Sequence, residues 1–215
     1  VAGVLAALAP HADAPAPPRG RALDLACGGG RHALAAAALG FRVTAVDYAR
    51  PALAQLRAAA AARGLAVDVV VADVETWPLP VARFALVMVV DFLSRALFPA
   101  LRAAVAPGGV LVMETFTVGQ ERLGHPRHPD FLLRHGELAA VCHDWEVLAA
   151  YEHETAEPAP ACRAGIAARA PGAFRALDVP SGPGAPSVPV CVDSLDPFGS
   201  IRAMTRDQRH RDAGV

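Results

Sequence analysis

Three aspartates close three successive apolar runs in the first part of the chain. Asp24 stands in Leu23-Asp24-Leu25-Ala26-Cys27-Gly28-Gly29-Gly30-Arg31, Asp47 ends Val43-Thr44-Ala45-Val46, and Asp73 follows Val70-Val71-Ala72. The glycines let a ligand lie directly on the backbone, and a helix opening at Arg31 would aim N–H groups at it. An acid just ahead of that bend, Asp24, suits a ligand carrying an ammonium group. Asp47, 23 positions later, can accept both hydroxyls of an adenosine ribose and would repel a 2′-phosphate. Asp73 can accept from an exocyclic adenine amine, with Val74 beside it as an apolar face. Singly, each aspartate fits a helix cap or a solvated turn equally well. Together on one rim they describe a site for an adenosine-containing ligand.

The elements needed to hold these residues alternate along the chain. Strands are expected at 21–26, 41–46, 66–72, 84–90 and 110–116, and helices at 31–39, 50–63 and 94–105. Gly40 and Gly64 stop the first two helices, and Pro107-Gly108-Gly109 reads as a breaker ahead of the fifth strand. Near-continuous Val/Leu strands separated by helices imply a parallel sheet covered on both faces, hence a doubly wound α/β fold. A helix near 135–141 follows a polar loop at 117–130. Two further runs, 145–152 and 162–170, are joined too closely for a crossover helix and should pair antiparallel. Residues 1–19 read as an N-terminal helix and linker, 20–170 as the folded domain, and 171–215 as a Pro/Gly-rich, disordered tail.

Composition removes several function classes. The 215 residues are 53% hydrophobic with a formal net charge of −1, enough apolar material for one core and no basic surface for nucleic acid. Every one of the 20 basic residues is Arg. Without Lys there is no Walker P-loop, pyridoxal Schiff base or lysine base. Cys27, Cys142, Cys162 and Cys191 show no paired spacing, which predicts reduced thiols in a cytoplasmic protein. No apolar run has the length of a membrane span. His125-Pro126-Arg127-His128 offers two ligands where a metal takes three or four, so no metal site is expected.

Gly28, Gly30 and Ala33 also satisfy the dinucleotide pattern G-x-G-x-x-A, so an NAD-binding oxidoreductase is the competing reading, alongside a degenerate adenosine-binding protein without turnover. A dianionic pyrophosphate beside Asp24 would be raised in energy, whereas a zwitterionic amino acid on a sulfonium would not. The terminal antiparallel pair also departs from the six-stranded parallel dinucleotide plan.

The run from Ala22 to Asp47, then Asp73, then Pro107-Gly108-Gly109, resembles a class I S-adenosylmethionine-dependent methyltransferase, with Ala26 where that family usually has Gly. Glu114-Thr115-Phe116-Thr117-Val118-Gly119-Gln120, Pro129 to Arg134 and Gly136-Glu137-Leu138 are similar to the bacterial tellurite-resistance-type subfamily. Such relatives carry more chain ahead of the first strand than stands before Arg21 here. The resemblance implies a Rossmann-like, mostly parallel seven-stranded sheet and S-adenosyl-L-methionine as cofactor. Asp24, Ala26, Gly28, Gly30 and Arg31 would hold the methionyl end, Asp47 and Tyr48 the ribose, and Asp73 with Val74 the adenine. Asp91, ending the fourth strand, would sit where the methyl meets its acceptor. The Asp91-Phe92-Leu93-Ser94 run lacks the Asx-Pro-Pro-aromatic motif of amino-group methyltransferases on DNA or protein amides.

The implied reaction is in-line displacement onto a small molecule by a monomer or homodimer, with no membrane or nucleic-acid partner. A base is needed only where the acceptor must lose a proton, and His125, His128 and Asp91 are the candidates. Arg127, Arg134 and His135 would line the loop after the fifth strand with positive charge and suit an anionic acceptor.

Overall fold

A computed structural model describes residues 20–155 and 159–173. The helix expected within 1–19, the tail beyond 173 and Cys191 lie outside the described residues. Seven strands form one sheet: β1 (Arg21–Leu25), β2 (Arg42–Asp47), β3 (Val67–Val71), β4 (Phe84–Val90), β5 (Val105–Phe116), β6 (Glu146–Thr155) and β7 (Ala161–Arg169). Their spatial order is β3-β2-β1-β4-β5-β7-β6. The first five run parallel, while β7 is antiparallel to both β5 and β6. This is the expected doubly wound sheet with its antiparallel pair. Strand order reverses between β1 and β4, which opens a crevice at their carboxyl ends.

Helices α1 (Arg31–Ala38) and α2 (Arg50–Ala62) connect the first three strands. In α1 the buried positions are Ala33, Ala36 and Ala37, and in α2 Leu53, Leu56 and Ala60. Both sets follow helical spacing, so each helix buries one stripe and leaves its alanine-rich remainder in water. Gly40 and Gly64 end them in the left-handed region, at φ 92° and 63°. The helix expected at 94–105 is shorter, a 3-10 turn at Arg95–Leu97 leading into α3 (Phe98–Ala104). The next, α4, covers only Glu137–Val141.

Alternation along the strands divides the apolar residues between two layers. Leu23, Leu25, Val87, Val89 and Met113 pack with Leu101 and Leu138 on one face. Ala22, Val43, Leu86, Met88 and Val112 pack with Ala36, Leu53 and Leu56 on the other. Strand β6 is the exception: it lies at the sheet edge and is exposed along almost its whole length.

The expected breaker Pro107-Gly108-Gly109 lies inside β5 instead. Opposite it, the register with β4 jumps from Phe84↔Val105 to Leu86↔Val110. Such a bulge accommodates a proline that has no N–H for the ladder. A Cβ on Gly109 would lie 2.9–3.0 Å from the carbonyl oxygens of Ala106, Ala85 and Phe84. All three contacts are backbone and cannot swing aside. Gly109→Ala is therefore expected to destabilise the domain by about 1–3 kcal/mol, the usual cost of overpacking. Urea unfolding should show a lowered midpoint at unchanged slope, and an unchanged midpoint would refute the packing argument.

Candidate active site

The carboxyl ends of β1, β2 and β4 place Asp24, Asp47 and Asp91 along one rim, with Asp73 just past the end of β3. Between β1 and α1 the chain turns sharply, with positive φ at Ala26 (56°), Gly28 (53°) and Gly30 (73°). Gly30 is required by packing, since a Cβ there would lie 2.4 Å from the Leu56 side chain. A Cβ on Gly28 or Gly29 would meet nothing within 4 Å, so the backbone itself forms one wall of open space. Ala26 holds the left-handed conformation at the cost of a Cβ clash that glycine would escape.

Asp24 is only 1% exposed. It takes a hydrogen bond from the Ala33 backbone N–H, while its Oδ2 has no partner among the described residues. Burial raises this carboxyl to about 7, and neighbouring Asp47 pushes the same way against the Ala33 bond and the Arg31 charge. Burial, together with Asp24 and Asp47, likewise pushes the Cys27 thiol up and keeps it protonated. Asp47 is buried too, but it is anchored: Oδ2 accepts from Gly28 N–H and Oδ1 from Ala49 N–H, each at 2.8 Å. It thereby ties the glycine turn to β2. Tyr48 next to it is 51% exposed. Asp73 is exposed and accepts from Glu75 N–H at 3.0 Å, and Val74 is buried in the core below.

Asp91 has φ 56°, a conformation aspartate tolerates better than most residues. Its Oδ2 faces Arg31 Nη2 at 3.4 Å and its Oδ1 accepts from Arg163 Nη1 at 2.8 Å. The same Nη1 reaches Glu114 Oε1 at 3.0 Å, and the Arg163 guanidinium lies over the Phe116 ring, 4.4 Å from its centroid. The Tyr151 hydroxyl donates to Glu114, which together with burial raises the Tyr151 pKa. Gly165 makes room for it, because a Cβ there would lie 2.6 Å from the Tyr151 ring. Sequence reading gave no role to Arg163, Glu114 or Tyr151. A signal did exist: Glu114 stands near the end of a strand as the aspartates do, and Arg163 interrupts an apolar strand.

The loop after β5 is built rather than loose. Arg95 grips Glu137 at 2.6 and 2.8 Å and the carbonyls of Asp130 and Leu132. Gln120 donates to the His125 carbonyl and accepts from Cys162 N–H. His128 uses Nδ1 to accept from Asp130 N–H, capping a 3-10 turn at Pro129–Phe131. Arg127 and Arg134 are exposed on this loop. His135 contacts Glu152 and helps line an open cleft of about 350 Å³ with Thr117, Gly119, Arg122 and Cys162.

Residues 22–109 match the sequence model of a family described as methyltransferase domain. Those residues, under half of the chain, are similar to a methyltransferase domain. S-adenosylmethionine is the cofactor of such a domain. The unpartnered Asp24 Oδ2 and the open space above Gly28 and Gly29 fit a ligand with a cationic group at that point. Solved structures with this fold include TehB from Haemophilus influenzae, at 20% identity and TM-score 0.62, covering 70% of this chain and 57% of that one. An S-adenosylmethionine-dependent methyltransferase from Mesorhizobium loti is 20% identical at TM-score 0.57, covering 78% of this chain and 96% of that one. A protein described as the [4+2]-cyclase SpnF is 16% identical at TM-score 0.57, covering 72% and 75%. This chain thus spans under two thirds of the length of TehB. Comparison with curated proteins finds no match. Among the described residues, no helix is long and apolar enough to cross a membrane.

The domain should carry a titration at Asp24. An unfolded aspartate titrates near pH 4 (about 3.9), so between about pH 4 and 7 the folded chain keeps a proton that the unfolded chain releases. The associated stability is present in full below about pH 4 and is lost as pH rises through 7. It amounts to something on the order of 4 kcal/mol. Ligand-free protein should show this decline in urea midpoints across that window, and Asp24→Asn should flatten it. An Asp24→Asn profile that parallels wild type would remove the assignment.

Proposed function

We propose that this chain transfers a methyl group from S-adenosylmethionine to a small-molecule acceptor by in-line displacement at carbon. The carrying observation is Asp24, a buried carboxyl group whose Oδ2 lacks a partner among the described residues, in the strand that leads into an open glycine turn. When bound, the cofactor supplies a methyl group already activated by its sulfonium. Asp24 would neutralise the ammonium of the methionyl end, and Arg31 would stand near its carboxylate. The backbone of Ala26, Gly28 and Gly30 would line the same segment. Asp47, although it already accepts two N–H bonds, keeps lone pairs for the ribose hydroxyls, with exposed Tyr48 beside it. Asp73 would accept from the adenine amine, with the Val74 segment beneath the ring.

The chain's own contribution is chiefly alignment, worth up to about 7–11 kcal/mol in favourable intramolecular reactions. Asp91, just past the end of β4, would stand where the donor meets its acceptor. It would act as base where the acceptor must lose a proton, with His125 and His128 as alternatives on the loop after β5. Free thiols at Cys27, Cys142 and Cys162 support a cytoplasmic setting.

Thermal shift compares the donor product with a dinucleotide. S-adenosylhomocysteine at about 100 times its Kd should stabilise the protein by about 2.7 kcal/mol, while NAD should leave it unchanged. Stabilisation by NAD alone would overturn the proposal. S-adenosylhomocysteine should also bind more tightly as pH rises through 7, because Asp24 must ionise to meet the ammonium. Asp47→Ala should weaken that binding by about 10- to 150-fold in calorimetry, the range for hydrogen bonds to a charged group. Full affinity in this variant would remove Asp47 from the ribose site.

A further inference from the structure

We infer that Arg163 binds the acceptor and that the acceptor carries a carboxylate or a comparable planar oxyanion. This rests on the methyl-transfer reading and names the substrate class for the same rim. Because β7 enters the sheet antiparallel between β5 and β6, its first residues meet the carboxyl ends of β4 and β5. Arg163 therefore arrives beside Asp91, at the edge of the crevice where strand order reverses.

The guanidinium is held on one side and open on the other. Nη1 alone makes both ion pairs, to Asp91 Oδ1 and Glu114 Oε1, and the ring of Phe116 supports the plane from below. Both carboxylates are fixed in turn. Asp91 donates its backbone N–H to the Glu114 carbonyl at 2.9 Å and faces Arg31, and Glu114 takes the Tyr151 hydroxyl. A guanidinium has five donors in a planar fork. The Nε and Nη2 edge has no hydrogen-bond partner among the described residues, yet the side chain is 21% exposed. Most of its rotamer freedom is already lost, so a carboxylate pairing with that edge meets a preorganised, bidentate donor.

Existing ion pairs favour the same occupant. Asp91 already pairs with Arg31 and Arg163, and Glu114 with Arg163. A cationic acceptor would have to compete with those arginines for the acids, whereas an anion approaching the Nε and Nη2 edge competes with neither. The loop arginines 127 and 134 are exposed instead, and Arg163 takes over the anion-binding role expected of that loop.

The test uses the full chain with saturating S-adenosylhomocysteine, titrated with acetate, benzoate and 1-naphthoate against acetamide, benzamide and 1-naphthamide. At least one carboxylate should bind and raise the melting midpoint while its amide does not. Arg163→Lys keeps the charge and the pairs with Asp91 and Glu114 but loses the fork. It should weaken the carboxylate about tenfold or more and leave S-adenosylhomocysteine affinity within about twofold, a change of under ~0.5 kcal/mol. Absence of binding by every carboxylate, equal binding by an amide, or an unaltered Arg163→Lys response would each overturn the inference. Because S-adenosylhomocysteine is measured separately, its failure to bind wild type would instead condemn the methyl-transfer reading.

Discussion

A carboxylate in the interior of a protein is costly unless its charge is matched or its proton retained. Asp24 sits in that position on an interior strand of the sheet, and the surrounding structure is arranged around it. One side of the group is served by the first turn of α1 through Ala33 N–H. The other is left for something that the described residues do not supply. The turn above it follows a left-handed path through Ala26, Gly28 and Gly30, leaving space there instead of side chains. Asp47 then fixes that turn to the neighbouring strand through Gly28 N–H. Local strain of this kind persists only where its surroundings over-determine it.

A second chain of charges links the two parts of the sheet. From Arg31 on α1 it passes through Asp91 on the loop after β4, Arg163 on β7 and Glu114 on β5 to Tyr151 on β6. Elements distant in sequence are thereby held in one register at the rim. The loop after β5 is held separately by Arg95 and Gln120, so its position does not depend on the charged chain. The fold itself leaves the chemistry open, since a protein described as a [4+2]-cyclase shares it. Side chains on the rim decide what such a sheet does.

Much of this arrangement could be read before any coordinates. The alternation of Val/Leu runs with alanine-rich stripes specified a covered parallel sheet, because period and burial are properties of the local sequence. The glycine turn and the aspartates at 24, 47 and 73 were legible as neighbours on one rim because parallel strands bring their carboxyl ends to a common edge. Pro107-Gly108-Gly109 was misplaced for an opposite reason. Breaker residues mark a local irregularity, but whether it ends a strand or bulges within it depends on the strand alongside.

The sequence by itself determined the class of sheet, the position of its first turn and the acids along its rim, all set by short-range spacing. Tertiary structure decided that β7 inserts between β5 and β6, so that Arg163 reaches Asp91, 72 positions away. It also decided that Oδ2 of Asp24 lacks a partner among the described residues, whereas both oxygens of Asp47 are bonded. Pairing partners, desolvation and the meeting of distant charges depend on three-dimensional neighbours, and no spacing along a chain encodes those directly.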